Sequence, residues 1–587
     1  MSRATIRPAR STRRQERSLF AQALEVGLIF GVVAVYITVV GILPLINGRW
    51  IIVGVVSLGH AALVALGLGA GAAVAARNRN SGFRSLVMPS LLAGGVAGGL
   101  LALLMLTMQF VNLRPIFIAL SPAVLKALTF GLGAPTGPVV LVVASAMLAA
   151  LGAALALAPA GVRKPVFVGL AMVTIFGVFQ ELIQIMMQFG PLIGELREAI
   201  YTWEGLTPAG ALAIFVVGSA GALLWTSVLR TPFHDRLARS ALVRRGYANA
   251  AKGILFVLLL VLIPVVAGSY IGQVMLLVGL YILMGMGLNL EVGLAGLLDL
   301  GFVAFFAVGA YATALLTADS PHALASYTAL PSLSYWVAMP IAVGCSVIVG
   351  VLFGIPVLGV RGDYLAVATM GLGEIVRVIV ASDMAAPLLG GAQGILQIPK
   401  PRIGSFELSD PVELFYLTLA ASAVAAYFAW RLENSRLGRA WMAIRDDEDV
   451  AQALGINLVQ VKLLAYGLGA AFAGLAGSIF AVMLTSVYPS SFQLLISINV
   501  LALIIVGGMG SLPGVVVGAV ALVGLPELLR EFGEFRYLFY GAALIIMMRI
   551  KPEGLWPSAT RRRELRASLA GDAPDQPREI AAQAAGP

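Results

Sequence analysis

Long apolar stretches alternate with short polar segments along most of the chain. A membrane-spanning helix requires roughly 20 mostly apolar residues, or fewer where helices are short or broken inside a bundle. The pattern therefore predicts an all-α polytopic membrane protein with about 16 transmembrane helices, six in an N-terminal region and ten in a C-terminal one. The predicted spans lie near 19–45, 51–76, 86–110, 137–160, 166–189, 208–229, 253–269, 271–290, 300–317, 335–358, 364–381, 411–430, 462–486, 495–509, 513–525 and 536–549.

The composition supports this interpretation. Hydrophobic residues make up 59% of the chain and charged residues 12%, whereas soluble domains carry about 25% charged residues. The net charge of +10 does not indicate a nucleic-acid partner, because the basic residues cluster at the ends of apolar runs, as orientation signals do. Cys345 is the single cysteine and lies in an apolar stretch, so we expect a small core residue.

The distribution of basic residues predicts the orientation in the membrane. With the N-terminus in the cytoplasm, the basic loops all fall inside and the nearly neutral loops fall outside, which satisfies the positive-inside rule. We expect a multi-pass protein of the bacterial inner membrane with both termini cytoplasmic. The inside loops are 77–84, 161–165, 230–252, 431–462 and the segment that follows the last span, and the outside loops include 190–207 and 382–410.

Four regions follow from these patterns, and the basic segment 230–252 marks the main boundary. They are a basic cytoplasmic tail (1–18), a six-span region (19–252), a ten-span region (253–557) and a cytoplasmic, disordered tail (558–587).

The segment 437–462, LGRAWMAIRDDEDVAQALGINLVQVK, is charged although it lies between two apolar spans. Asp446 or Asp447 is expected to cap a helix that begins at Glu448, and Gly455 to end it after Leu454. The pattern predicts a short amphipathic helix along the cytoplasmic membrane face. The alternative is an ordinary solvated loop, or a helix that rests on the lipid headgroups.

Five stretches in order, including this segment, resemble the M-type permease subunit of branched-chain amino acid (LIV) ABC importers. The resemblance covers about 253–557. Besides 437–457, the stretches are GLYILMGMGLNLEVGLAGLLDLGFVAFFAVGAYATALL (279–316), RGDYLAVATMGLGEIVRVIV (361–380), GGAQGILQIPKP (390–401) and SINVLALIIVGGMGSLPGVVVGA (497–519).

This resemblance implies an importer permease domain, with a coupling loop at 435–461 on which a separate ATPase docks. The partners implied are a second, H-type permease, two cytoplasmic ABC ATPases and an extracytoplasmic substrate-binding protein, all in a lipid bilayer. No cofactor is expected, and the chain has no P-loop GK[ST] motif of its own. We expect Ile444, Ala451 and Leu454 to contact the ATPase, and Gly438, Arg439, Asp446, Asp447 and Gly455 to shape and orient the helix. By analogy, ten spans also suit the permease fold of the vitamin B12 importer type.

Polar groups within the spans are costly and are candidates for function. The substrate pathway is assigned to Asn289, Gly296, Asp299, Gly301 and Glu374. Asp299 either lines the pathway in a broken helix or caps a helix that begins near Leu300. Glu374 either faces the pathway or forms a self-neutralised pair with Arg377, three residues later. Arg361 and Asp363 are expected at the start of the same helix.

Two further polar features have alternative interpretations. Gln180, Gln184 and Gln188 form an i, i+4, i+8 stripe, which predicts hydrogen bonds between helices or a contact with the ten-span region. The Gly- and Pro-rich loop 382–410 is either a connector or a docking face for the binding protein, through Gln393, Lys400 and Arg402.

An internal repeat is suggested by GVVSLGHAALVALG (54–67) and GLLDLGFVAFFAVG (296–309), which align at a constant offset of 242 residues. We hypothesise that the six-span region is a degenerate permease-like repeat. It lacks a segment similar to 437–457, so a second permease chain is still expected. The alternative is a scaffold that widens an interface.

The predicted function is that of an ABC-importer permease for branched-chain or related amino acids, working by alternating access. One alternative is an ion-coupled secondary transporter with Asp299, Glu374 or Glu181 as the ion site. An integral-membrane enzyme is disfavoured, because His60, His234 and His322 are scattered and no nucleophile motif accompanies them. The sequence does not select among amino acids, amides and urea.

Overall fold

The structure is a computed structural model in which two compact units are separated between Lys252 and Gly253. The predicted tails 1–18 and 558–587, most of the basic segment 230–252, Gln188, His234, His322 and Arg361 lie outside the residues that it describes. The described residues are 19–78, 82–129, 131–132, 136–187, 191–224, 245–321, 332–357, 359–360, 362–530, 535–551 and 553–557.

The first unit is mainly helical. Ser57 caps one of its long helices, since its hydroxyl accepts a hydrogen bond of 3.1 Å from the His60 amide. The helices are α1 (Leu19–Val39), α2 (Ile42–Asn47), α3 (Leu58–Arg77), α4 (Phe83–Phe110), α5 (Pro122–Leu128), α6 (Gly137–Leu157), α7 (Ala160–Val178), α8 (Gln180–Met186), α9 (Pro191–Ile200) and α10 (Pro208–Leu224).

A small four-stranded sheet, with order β2-β1-β4-β3, also belongs to the first unit. Ile52 pairs in parallel with Leu206, and the other two pairings are antiparallel hairpins. Two members of the glutamine stripe serve this sheet, because Gln180 donates to the Glu204 oxygen (3.2 Å) and Gln184 to that of Thr202 (3.3 Å). The hydrogen bonds of Gln180 and Gln184 thus lie within the first unit. The strands are β1 (Trp50–Ile52), β2 (Val56–Ser57), β3 (Tyr201–Thr202) and β4 (Gly205–Leu206).

The remaining elements belong to the second unit, except for the first eight residues of its first helix, which precede Gly253. This helix is interrupted at Gly268 (φ +84°, ψ 178°). Its helices are α11 (Arg245–Leu288), α12 (Val303–Thr317), α13 (Tyr335–Val357), α14 (Asp363–Ala381), α15 (Ala386–Leu389), α16 (Pro411–Glu433), α17 (Arg436–Asp446), α18 (Glu448–Ala453), α19 (Leu458–Leu484), α20 (Leu494–Gly507), α21 (Leu512–Ala519), α22 (Leu525–Leu528) and α23 (Phe535–Ile550).

Shorter elements join these helices. Two are π-helical, and two are single 3₁₀ turns. They are the π-helical segments Asn289–Leu294 and Val520–Gly524, the 3₁₀ turns Gly391–Gln393 and Pro489–Ser491, and the strands β5 (Ile395–Leu396), β6 (Arg402–Ile403), β7 (Phe406–Glu407) and β8 (Ser486–Val487), which pair as β5–β8 and β6–β7.

The all-α membrane fold is confirmed. Among the described residues, eleven helices are long and apolar enough to cross a membrane, and three shorter apolar ones accompany them. Each of the predicted spans overlaps a helix, and the predicted break between 253–269 and 271–290 corresponds to the interruption at Gly268.

Two predicted boundaries differ from the structure. The span predicted at 51–76 begins only at Leu58, because the β1–β2 hairpin precedes it and Gly54 has a positive φ of +72°. The hydrophobicity pattern did not indicate this turn, because its residues are as apolar as the helix that follows. The predicted loop 161–165 instead lies within the N-terminal part of α7, which has Pro165 as its sixth residue.

The core of the second unit is built around α19, whose apolar window is 67% buried. Small residues permit close packing there: a Cβ at Gly309 of α12 would collide with the main-chain oxygen of Gly474. Helices α12, α13 and α19 pack on one another. They form the framework that supports the segment 437–462 and the π-helical segment Asn289–Leu294.

Candidate coupling segment and substrate pathway

The predicted coupling segment folds as two short helices, α17 and α18, where the sequence pattern predicted one. Asp447 separates them in an extended conformation (φ −160°, ψ 116°). Its carboxylate accepts hydrogen bonds from the amides of Asp449 (2.9 Å) and Val450 (3.0 Å). Of the two predicted capping residues, Asp447 is therefore the cap of α18.

Gly455 ends α18 at the predicted position. Its φ is +87°, a conformation that glycine adopts without steric cost. The Gly455 amide donates to the oxygen of Gln452 (2.9 Å), and the Ile456 amide to that of Ala451 (3.1 Å). This pair of bonds is a Schellman motif, so the chain turns sharply between α18 and α19.

Helix α17 is anchored to its own chain. Trp441 is fully buried, and its indole nitrogen donates a hydrogen bond of 2.8 Å to the oxygen of Val461. Gly438 lies so close to the end of α16 that a Cβ there would collide with the main-chain oxygens of Leu432 and Glu433. The helix is thereby fixed against the helices on both sides of it.

Burial corrects the predicted set of ATPase contacts. Ile444 and Ala451 are 2% and 1% exposed and pack into the core of the second unit. The amphipathic pattern was correct, but the chain itself covers this face. Val450 and Leu454, in contrast, are 56% and 76% exposed, and they are four residues apart on the outer face of α18. Among the predicted polar residues, Arg439, Asp446 and Asp447 are exposed.

A buried ion pair holds α18 against the start of α19, and sequence reasoning missed it. Lys462 Nζ lies 2.7 Å from Glu448 Oε1, and their side chains are 6% and 25% exposed. The one signal in the sequence was a lysine just inside an apolar run. A buried cation is stable only when it is paired, so this pair fixes the position of α18.

Arg445 connects the coupling segment to the predicted pathway. Its guanidinium donates a hydrogen bond of 2.8 Å to the main-chain oxygen of Gly293, in the segment Asn289–Leu294. Gly296 has a φ of +74° and faces the Arg445 side chain, so a larger residue there would strike it. The Asn289 side chain accepts a hydrogen bond of 2.9 Å from the Gly510 amide. The π-helical segment is thus bound both by the Arg445 side chain and by the Gly510 amide.

Two carboxyl groups are buried beside this segment. Glu291 is 0% and Asp299 1% exposed, and their side chains interact. Both oxygens of Glu291, Asp299 Oδ2 and the Tyr466 hydroxyl have no hydrogen-bond partner among the described protein atoms. Glu291 was not predicted, although its place eight residues before Asp299 in an apolar run was a usable signal.

Asp299 satisfies free backbone amides without capping α12. Its Oδ1 accepts a hydrogen bond of 2.7 Å from the Gly301 amide, while α12 begins only at Val303. The predicted helix start at Leu300 was therefore too early. Gly301 allows the chain to approach Thr369, whose hydroxyl accepts from the Leu300 amide (3.0 Å). The result is a non-helical connection between α11 and α12.

The predicted pairing of Glu374 with Arg377 is confirmed. Both Nε and Nη2 of Arg377 donate to the Glu374 carboxylate. The side chains are 49% and 34% exposed on α14, and the mutual neutralisation of the two charges reduces the cost of placing them on an apolar helix.

In the loop 382–410, Lys400 differs from Arg402 and Gln393. Lys400 Nζ donates to the main-chain oxygens of Val482 (2.9 Å) and Met483 (3.1 Å) in the last turn of α19. Burial lowers the pKa of Lys400, while Glu407 acts in the opposite direction. This lysine anchors the loop, which corrects its predicted role as a free contact. Arg402, paired with Glu407 at 2.8 Å, and Gln393 are exposed.

Comparison with known proteins identifies the family. Residues 270–548 match the family model of the branched-chain amino acid transport system / permease component. The high-affinity branched-chain amino acid transport system permease protein LivM of Salmonella typhimurium is 38% identical over 314 residues, which cover 50% of this chain and 71% of LivM. The chain belongs to the branched-chain amino acid transport permease family. This permease is thus a multi-pass inner-membrane protein of a transport system.

More distant relatives also match part of the chain. The probable branched-chain amino acid transport permease protein LivM of Methanocaldococcus jannaschii is 22% identical over 324 residues, 49% of this permease and 93% of the relative. LivH of Salmonella typhimurium, a permease protein of the same kind of system, is 28% identical over 176 residues, 30% and 55% of the two chains. No solved structure shows significant similarity to this permease.

Proposed function

We propose that this chain is the transmembrane permease subunit of an ABC importer for branched-chain or related amino acids, working by alternating access. The observation that carries the proposal is the bond from Arg445 to Gly293. It joins a helix pair with an exposed apolar contact, proposed to lie in the cytoplasm, to the π-helical segment Asn289–Leu294 inside the membrane domain. Transporters place substrate sites at such interrupted helices.

Force from a separate ATPase would enter at Val450 and Leu454, the exposed apolar residues of α18. The pair Glu448–Lys462 and the Trp441 bond hold α17 and α18 on α19. A displacement of the segment is therefore transmitted to the membrane helices. Arg439, Asp446 and Asp447 supply charges at the rim of this contact.

The pathway is proposed to run past Asn289, Asp299 and Glu374, with Gly296 and Gly301 permitting the close approach of neighbouring chains. Asn289 and Asp299 are buried here, whereas Glu374 is exposed. The apolar side chains of the π-helical segment are packed in the hydrophobic core of the second unit. Opening the pathway would therefore require this segment to move.

The assembly that we propose contains a second, H-type permease, two cytoplasmic ATPases and an extracytoplasmic binding protein. The names LivM and LivH describe permease proteins of one kind of transport system, and both resemble this chain. Arg402 and Gln393 are the proposed contacts of the binding protein. Both termini are placed in the cytoplasm by the distribution of basic residues.

The region 19–252 is proposed to be a degenerate permease-like repeat preceding the permease domain 253–557. Gly54 and Gly296 occupy aligned positions and have nearly equal φ values, +72° and +74°. The same offset of 242 residues aligns Asn47 with Asn289, and both accept hydrogen bonds through their side chains. The three-helix packing of α3, α4 and α6 parallels that of α12, α13 and α19.

Copurification and reconstitution test the proposed function. The full chain should copurify with an ATPase and a second permease, and proteoliposomes containing the complex should import leucine only with ATP and a binding protein. Uptake that persists without ATP and collapses with an ionophore would instead support the ion-coupled secondary transporter. A permease–ATPase pair that transports without another permease would contradict the proposed heterodimer.

A further inference from the structure

The first unit contains a large apolar groove that the transport function does not use. Its volume is about 1090 Å³, and α3 and α6 form one side while α7 and α10 contribute the other. Small residues of α3, namely Ala65, Gly69, Ala72 and Ala76, lie along its length. At 1.5 Å per residue, this wall is about 16 Å long. The groove thus has the length and the apolar surface that an acyl chain requires.

One part of the groove is basic. Arg163 and Lys164, the fourth and fifth residues of α7, belong to its lining. Arg163 donates a hydrogen bond of 3.0 Å to the Ala156 oxygen and is half-buried, whereas Lys164 is exposed. Within the described part of the chain, neither side chain forms an ion pair with a carboxylate. The groove therefore combines an apolar wall with two cations that have no carboxylate partner, of which Arg163 is bound to a carbonyl in the last turn of α6.

The position of these cations favours an anion beside them. Lys164 lies near the N-terminal, positive end of α7 and has no carboxylate partner, so an anion beside it is favourable. The positive-inside rule places this end of α7 at the cytoplasmic face, where anionic lipids attract basic residues, and basic pockets between membrane helices bind lipid headgroups.

We propose that this groove binds one anionic phospholipid of the cytoplasmic leaflet. Its phosphate lies at Arg163 and Lys164, and an acyl chain extends along the α3 wall from Ala76 toward Ala65. An apolar helix of a partner would leave both cations without a counter-charge. A free phosphate would leave the apolar wall empty. A phospholipid provides both an anion for the two cations and an acyl chain for the apolar wall.

Lipid retention in the intact complex tests the proposal. The complex is purified from membranes in mild detergent, and its bound phosphatidylglycerol and phosphatidylethanolamine are quantified by mass spectrometry. We expect phosphatidylglycerol to be enriched at least fivefold over its share in the membrane. Lys164→Gln with Arg163→Gln should reduce this enrichment to near one, and Ala72→Phe, which fills the groove, should do the same.

Matched controls separate specific binding from general lipid contact. Arg114→Gln removes an exposed cation elsewhere in the first unit, and Val143→Phe enlarges an exposed residue of α6 outside the groove; both should retain the wild-type enrichment. Arg163→Lys with Lys164→Arg keeps the charges and should retain it as well. The inference is overturned if both lipids are retained in proportion to the membrane, or if the basic-to-Gln and Ala72→Phe variants match the wild type.

A second measurement guards against misfolding of the variants. Added phosphatidylglycerol should raise the thermal midpoint of the delipidated wild-type complex, and it should leave that of Lys164→Gln unchanged. An equal response in both would also overturn the inference. Transport need not change in either case, so the result is independent of the proposed function.

Discussion

Arg445 and Gly293 are joined by a hydrogen bond of 2.8 Å across 152 residues of sequence. The bond links the last turn of α17 to the π-helical segment Asn289–Leu294. Because a π-helical segment shifts the carbonyls away from regular helical pairing, the Gly293 oxygen is available to a side chain. Helix α17 thereby holds a part of the membrane domain through one guanidinium group.

Arg445→Ala should uncouple ATP hydrolysis from transport. A hydrogen bond from a charged group contributes about 1.5–3 kcal/mol, so its loss should reduce leucine uptake roughly tenfold or more. ATPase activity and assembly of the complex should remain. Arg431→Ala, at the exposed end of α16, is the control and should transport normally. Normal coupling in Arg445→Ala would contradict the role of this bond.

Val450→Asp with Leu454→Asp should abolish copurification of the ATPase while leaving the permease folded. Both side chains are exposed, so the change removes an apolar contact and adds charge to its site. Gln452→Asp, also exposed on α18, should have little effect. Ile444→Asp, by contrast, places a charge in the core and should reduce the yield of folded protein. Pull-down and size-exclusion profiles distinguish these outcomes.

Gly438→Ala should destabilise the permease by about 1–3 kcal/mol, because the added Cβ collides with the end of α16. Gly371→Ala is the matched control. This glycine also lies within a helix, but a Cβ there has open space around it, so the change should be neutral or slightly stabilising. Thermal midpoints in detergent give the comparison, and equal midpoints would refute the predicted collision.

Removing Glu448 and removing Lys462 should lower the stability of the protein by different amounts. Glu448→Gln leaves a nearly buried ammonium without its counter-charge and should cost about 3–5 kcal/mol. Lys462→Met leaves a carboxylate that is 25% exposed and accessible to water, so its cost should be smaller. Thermal unfolding of both single variants and the double variant measures the coupling. The opposite order of costs would show that the lysine is hydrated.

Lys400→Met should lower stability by about 1–3 kcal/mol, because the oxygens of Val482 and Met483 lose their donor. Burial lowers the pKa of Lys400 from its usual 10.5, so the native chain holds fewer protons than the unfolded chain just below that pH. Wild-type stability should therefore rise relative to Lys400→Met between pH 8 and pH 10. Thermal midpoints at both pH values provide the test.

Arg402→Ala should affect binding of the partner protein, whereas Lys400→Met should affect stability. The Arg402→Ala change should leave the thermal midpoint nearly unchanged, since exposed ion pairs contribute about 0–1 kcal/mol, but it should weaken capture of the binding protein.

The helices of this permease were largely predictable, because an apolar run of about 20 residues specifies a membrane helix without reference to the rest of the fold. The turn at Gly455 and the cap at Asp447 were predictable for a similar reason, since both depend on a few neighbouring residues. The hairpin before Leu58 was missed because its residues are as apolar as the helix that follows.

Tertiary contacts limited the prediction of the candidate site. An amphipathic pattern shows that Ile444 and Ala451 lie on an apolar face, but it does not show whether the same chain or a partner covers that face. Likewise, Lys462 pairs with a residue 14 positions earlier, and Arg445 with one 152 positions earlier. In both cases the two partners lie on different elements, so no periodicity within one element relates them.

Lysines hold α19 at its two ends. Lys462, in its first turns, is paired with Glu448, and Lys400 is bound to the carbonyls of Val482 and Met483 in its last turn. Both attachments lie on one helix of 27 residues, about 40 Å long. In the proposed assembly, the ATPase and the binding protein would therefore act on opposite ends of a single helix. An event on one side of the bilayer would reach the other without passing through a flexible joint.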